Sequence, residues 1–419
     1  NSSPWNSDFR DPNGGDNLFV SSVVAVDAET GSYNWHFQTT PRDNWDYTAT
    51  QTIILADLPI GADGANRRVA MQAPKNGFFY VLDAATGEFI SGDAFVPVNW
   101  ATGLDENGRP IEVPAARYKE VVHAQSPGPL GAHNWHPMAF NPDLNLAYIP
   151  AQEIPQEYRR DPLHESEPGN WNTGVDFAAG IPPVAGPEGR LIAWDPVAQK
   201  PRWTVEHQNA WNGGVLSTAG GLVFQGQLEG TFTAYDAATG DKLWSQNVKS
   251  GAASGPGTYM IDGEQYVTIT TGWGSAYALS AGFAYDETVP ASVGKVVTFK
   301  LGGNQIIADA DFPEIERVPA ADAFGDDAML QAGAVAYSRN CTVCHGPLAI
   351  SSGVLPDLRW SQITGNEDSW NKVVQEGSLA SNGMVSFANI LNKEETDAIR
   401  AYVLAQAHAH ADAEASDGE

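Results

Sequence analysis

The chain has little cysteine, little methionine and little positive charge. Two cysteines in 419 residues make at most a zinc half-site or a stray pair, because a structural zinc site wants a second pair of ligands. Five methionines leave few candidates for a thioether ligand. Lys and Arg number 23 against 51 Asp and Glu, a formal charge of −28. Such a surface repels nucleic acid and is not drawn to anionic membranes by charge, whereas a basic electron carrier would be attracted. Solubility alone is the plainer reading of the same charge. No apolar run is long enough to span a bilayer, no signal peptide is visible, and the first residue is not methionine. Hydrophobic residues reach 42 % and tryptophans number 13, enough for large cores. The length exceeds what one core usually fills, so two domains are expected.

The two cysteines stand in Cys341-Thr-Val-Cys344-His345, the spacing of a c-type haem attachment site. Each thiol can form a thioether to a haem vinyl group, and His345 is placed to become the proximal iron ligand. Covalent attachment of this kind takes place outside the bacterial cytoplasm, so a periplasmic address follows. Helical patterns surround the motif: Ala328 to Arg339, Trp370 to Glu376, and a last helix from Asn392-Lys-Glu-Glu395 to about Ala407, opened by a capping-box signature. This is the plan of a small all-α class I cytochrome c over 326–407, followed by an acidic tail, 408–419, expected to be disordered. Met384 is its expected sixth ligand, a thioether that raises the potential.

Upstream, the pattern Asp-x-x-Thr-Gly-x-x-x-Trp recurs. It runs from Asp27 to Trp35 and from Asp236 to Trp244, in a worn form from Asp195 to Trp203, and from Asp83 with Ser91 in the tryptophan's place. Asn141-Pro142-Asp143 is a further candidate for a degenerate copy. Each copy lies between strand-like alternations, as in a hairpin with an Asp/Thr-Gly turn. Repeats of this length read as blades of an all-β propeller, about five of them over 1–302, with each tryptophan filling the gap to a neighbouring blade. Residues 303–325 read as a linker.

A propeller with such repeats joined to a C-terminal cytochrome c resembles the quinohaemoprotein alcohol dehydrogenases, along essentially the whole chain. The resemblance is carried by Asn1-Ser-Ser-Pro-Trp5-Asn6, Gly15-Asp16-Asn17-Leu18, Asp43-Asn44-Trp45-Asp46-Tyr47, Ala73-Pro74-Lys75-Asn76-Gly77-Phe78 and His133-Asn134-Trp135-His136-Pro137. Trp211-Asn-Gly-Gly214 and Gly272-Trp-Gly-Ser-Ala276 complete the set.

The resemblance implies pyrroloquinoline quinone (PQQ), Ca²⁺ and haem c as cofactors. Asp46 becomes the general base and Asn1 and Asp46 become calcium ligands. Lys75, Asn134, Trp135, Trp211 and Ala276 become quinone contacts. Primary alcohols would be oxidised to aldehydes by hydride transfer, with electrons leaving singly through the haem. The external acceptor would be a blue-copper protein, a cytochrome c, or a membrane cytochrome and quinone. Thr48 stands where lanthanide-dependent relatives carry a second aspartate, which favours calcium.

Family members have eight blades, so the chain is expected to be a partial sequence that would not bind PQQ tightly on its own. Two other readings share the plan: the catalytic subunit of a membrane-bound dehydrogenase complex, and a non-catalytic propeller scaffold bearing an electron-transfer haem.

Overall fold

The computed structural model describes residues 3–162, 164–165, 173–176, 188–281, 289–290, 292–309 and 320–417. The chain divides into two compact units. The first is Asn1–Trp273 with Val289–Ala310, and the second is Gly274–Thr288 with Asp311–Glu419.

The first unit opens with a single helical turn, α1 (Ser7–Arg10), followed by antiparallel sheets. A two-stranded sheet pairs β1 (Ser22–Val26) with β2 (Tyr33–Gln38). A four-stranded sheet runs β3 (Ile54–Leu58), β4 (Arg67–Gln72), β5 (Phe78–Asp83) and β6 (Phe89–Ala94). Between it and the next lie a hairpin of β7 (Ala101–Leu104) and β8 (Pro110–Glu112), and then β9 (His123–Gln125). The next four-stranded sheet runs β10 (Ala139–Asn141), β11 (Leu146–Glu153), β13 (Glu188–Asp195) and β14 (Lys200–His207), while β12 (Gln156–Tyr158) pairs with β9. The last two sheets run in chain order. One holds β15 (Val215–Ser217), β16 (Leu222–Gly226), β17 (Thr231–Asp236) and β18 (Lys242–Asn247); the other holds β19 (Gly257–Ile261), β20 (Glu264–Thr270) and β21 (Val296–Lys300).

These are propeller blades because their inner strands are buried on both faces. Along β5, Phe79 and Val81 enter the core shared with the following blade, while Phe78 and Tyr80 enter an aromatic cluster on the other side. In β11, Ala147 and Ile149 alternate with Leu146 and Tyr148 in the same way. Period-2 alternation between two apolar sides suits a sheet sandwiched by its neighbours.

The Asp-x-x-Thr-Gly stretches close the hairpins β1–β2, β5–β6 and β17–β18, with the Asp27 carboxylate accepting the Thr30 amide at 2.8 Å and hydroxyl at 2.8 Å. The tryptophans dock as expected. A Cβ on Gly87 would come within 2.5 Å of the Trp35 ring, and one on Gly240 within 2.8 Å of Trp203. Where the repeat has worn, both partners change together. Gln199 replaces the glycine, Ser91 replaces the tryptophan, and Gln199 Nε2 donates to Ser91 Oγ at 3.0 Å. The Asn141 turn is not a further copy. Its side chain caps the β10–β11 turn by accepting the amides of Asp143 and Leu144, a different connection within the blade.

The second unit is helical. It contains α2 (Ala276–Ser280), α3 (Asp327–Asn340), α4 (Thr342–His345), α5 (Glu367–Val374) and α6 (Lys393–Asp417). A single cut near residue 302 therefore does not describe the units, because α2 packs on α4. The capping box forms: Glu395 N donates to Asn392 Oδ1 at 3.0 Å and Asn392 N donates to Glu395 Oε2 at 2.8 Å. The helix it opens does not stop near Ala407; it continues to Asp417. The alanine-rich tail carries no Gly or Pro before that point, so nothing breaks it.

Candidate active site

Asp46 sits on the irregular segment between β2 and β3, with a left-handed φ of +68°. A non-glycine residue holds that conformation only when its surroundings impose it. Lys75, just after β4, reaches it with Nζ 3.0 Å from Oδ2 and 3.0 Å from the main-chain oxygen of the same residue. Both side chains are largely buried, Lys75 at 9 % exposure and Asp46 at 13 %. Among the described residues, Oδ1 of Asp46 is buried without a hydrogen-bond partner. Burial pushes the Asp46 carboxyl up to about 6, with Lys75 opposing and Asp43 assisting. Such a group is poised to exchange a proton near neutral pH.

The loop Gly131–Pro137 lies alongside. Ala132 N donates to the Lys75 carbonyl at 2.9 Å, and a Cβ on Gly131 would strike the Lys75 stem at 2.4 Å. Only glycine allows so close an approach. His133 is fully buried, with Nδ1 2.7 Å from Ala73 O and Nε2 2.6 Å from His136 O. Asn134 serves its own loop: Nδ2 donates to Leu130 O at 2.7 Å and Oδ1 accepts the Trp135 amide at 2.8 Å. Trp135 is 46 % exposed and stacks on His136 at 4.1 Å. His136 in turn meets buried Trp211 edge-on at 4.7 Å. Contacts thus connect Asp46, Lys75, the Asn134–Trp135 loop and Trp211.

Two expected members stand elsewhere. Asn1 lies outside the described residues. Ala276, expected on an inner propeller loop, is the first residue of α2 in the second unit. Residues invisible to motif reading also crowd the Asp46 segment: Arg10, Ser21, Tyr118 and Tyr158. Their contacts span up to 113 positions, so no local pattern could have shown them.

In the second unit, His345 is buried at the end of α4, and its Nδ1 lies 2.9 Å from Pro356 O. Donation there leaves Nε2 as the coordinating nitrogen. Cys341 and Met384 pack against one apolar cluster that also holds Tyr337, Trp370 and Val403. Two thiols within a helical turn, an oriented imidazole and a thioether on a common apolar wall fit haem c. The propeller residues fit a planar anionic quinone through the Lys75 cation and the exposed Trp135 face. The bare Oδ1 of Asp46 fits one oxygen ligand of a hard cation. Among the described residues no cluster of three or more His, Cys, Asp or Glu forms a metal site, and no helix is long and apolar enough to cross a membrane.

Residues 7–100 and 113–267 match the PQQ family model described as "Glucose/ethanol/alcohol dehydrogenase, beta-propeller domain". Residues 328–403 match one described as "Cytochrome C oxidase, cbb3-type, subunit III". The chain is 44 % identical to a quinohemoprotein alcohol dehydrogenase of Comamonas testosteroni, over 98 % of this chain and 58 % of that protein. It is 42 % identical to a 1-butanol dehydrogenase (cytochrome c) of Thauera butanivorans, over 97 % and 59 % respectively. The solved structure of quinohemoprotein alcohol dehydrogenase ADHIIG from Pseudomonas putida HK5 superposes with a TM-score of 0.90 at 43 % identity, covering 97 % of this chain and 61 % of that one. The chain therefore spans under two thirds of the length of the relatives it matches.

Proposed function

The chain belongs to the glucose/ethanol/alcohol dehydrogenase family of PQQ β-propellers, joined here to a cytochrome c domain, and from that we propose that the complete protein oxidises primary alcohols to aldehydes in the periplasm. The observation that carries this reading is the buried Asp46–Lys75 pair with its unpartnered carboxylate oxygen. Asp46 takes the hydroxyl proton of the alcohol. General-base catalysis of this kind contributes roughly 10²–10⁴-fold. Lys75 orients that carboxylate by donating to Oδ2 and holds positive charge beside the reacting centre.

Lys75, Asn134, Trp135 and Trp211 would hold PQQ, Asp46 and Asn1 would hold calcium, and Cys341, Cys344, His345 and Met384 would hold haem c. When bound, the quinone supplies a hydride acceptor, calcium a Lewis acid and the haem a one-electron outlet. Thr48 is neutral and buried, adding no further negative charge for a trivalent ion, which supports calcium. The acidic surface favours a basic external electron carrier.

The test is Asp46→Asn in the complete protein, assayed by dye-linked alcohol oxidation beside the haem spectrum. Loss of oxidation with an unchanged haem spectrum is expected. Retained oxidation would sink the reading and favour the scaffold alternative.

A further inference from the structure

Five consecutive carbonyls of the Asp46 segment are held by side chains from elsewhere in the chain. Asp43 O accepts Arg10 Nη2 at 2.7 Å, Asn44 O accepts the Tyr118 hydroxyl at 2.6 Å, and Trp45 O accepts the Tyr158 hydroxyl at 2.9 Å. Asp46 O accepts Lys75 Nζ at 3.0 Å, and Tyr47 O accepts the Ser21 hydroxyl. The segment forms no strand or helix, so side chains replace the ladder that would otherwise satisfy buried carbonyls. Inside the loop, the Asp43 carboxylate accepts the Trp45 amide at 3.0 Å. Tyr118 and Tyr158 are fully buried and stacked, with centroids 5.2 Å apart and planes 26° apart. Their hydroxyls therefore stand on a rigid base and meet two adjacent carbonyls immediately before Asp46.

We propose that Tyr118 and Tyr158 are positioning residues for Asp46: their hydroxyls pin the Asn44 and Trp45 carbonyls and so fix the left-handed backbone that aims the Asp46 carboxylate. The inference rests on Asp46 acting as the base. An aspartate in a strained conformation relaxes once its flanking carbonyls are released. A displacement of about 1 Å at a reacting group costs on the order of 100-fold in rate, so partial loosening has a readable effect.

Tyr118→Phe and Tyr158→Phe remove one hydroxyl each and keep the ring. Tyr148→Phe is the control. It removes an equally buried hydroxyl, which donates to Ala237 O at 2.9 Å between two other blades. In the complete holoenzyme, kcat should fall on the order of 10-fold in each site variant, with KM for the alcohol unchanged and kcat intact in the control. Hydrogen exchange in the peptide covering 43–48, followed by mass spectrometry, should quicken in the site variants and not in Tyr148→Phe. Equal kcat in all three variants, or unaltered exchange at 43–48, overturns the proposal. Asp46→Asn is run in parallel. If it remains active, the base assignment fails, and the exchange measurement still decides whether the tyrosines hold the loop.

Discussion

Lys75 Nζ lies 3.0 Å from the Asp46 carboxylate and 3.0 Å from the carbonyl of the same residue. One cation thus fixes both the side chain and the backbone of the proposed base. It also opposes burial, which alone would drive the carboxyl higher than about 6. Lys75→Gln removes that opposition, so the Asp46 carboxyl rises. Its active form is the carboxylate, lost as pH falls through the pKa. The acidic limb of the pH profile of kcat/KM should therefore move to higher pH in Lys75→Gln.

Gly31 and Gly87 occupy the same place in two copies of the repeat, with φ of +70° and +75°. A Cβ at Gly31 meets nothing within 4 Å, whereas one at Gly87 meets the Trp35 ring at 2.5 Å. Gly31→Ala should cost only the left-handed penalty, about 1–2 kcal/mol. Gly87→Ala should cost about 1–3 kcal/mol more, because it also displaces a docked tryptophan. Thermal melts of the two variants measure the difference directly.

His136 is buried against Trp135 and Trp211, and burial pushes its pKa from 6.5 down to about 3. Between those values the unfolded chain binds the proton and the folded chain does not. Stability is therefore complete above about pH 6.5 and declines as pH falls toward 3, by about 2 kcal/mol at pH 5. Melting temperatures from pH 7 to pH 5 should drop less steeply in His136→Gln, which has no such group to protonate.

Met384 packs with Cys341 on the apolar wall of the second unit. Exchange of the thioether for an imidazole in Met384→His should lower the haem midpoint potential, since thioether ligation raises it. Potentiometric titration reads the change; an unaltered potential would remove Met384 as the sixth ligand.

What the sequence determined by itself is what short-range bonds encode. The Asp27 turn closes within three residues, the Asn392–Glu395 capping box within three, and the haem motif occupies five consecutive positions. Such contacts repeat with the chain's own period, so they are legible as patterns. The blade count did not follow from them alone, because four such turns stand beside a last sheet, β19–β21, that carries none. Beyond that range the sequence was silent. The Ser91–Gln199 substitute for a docked tryptophan joins residues 108 apart. The clasp of Asp46 by Arg10, Tyr118, Tyr158, Lys75 and Ser21 brings together five separate segments. The place of α2 in the second unit likewise left no compositional mark. Only the tertiary structure decided these, because a buried irregular loop must find donors wherever the packed blades happen to present them.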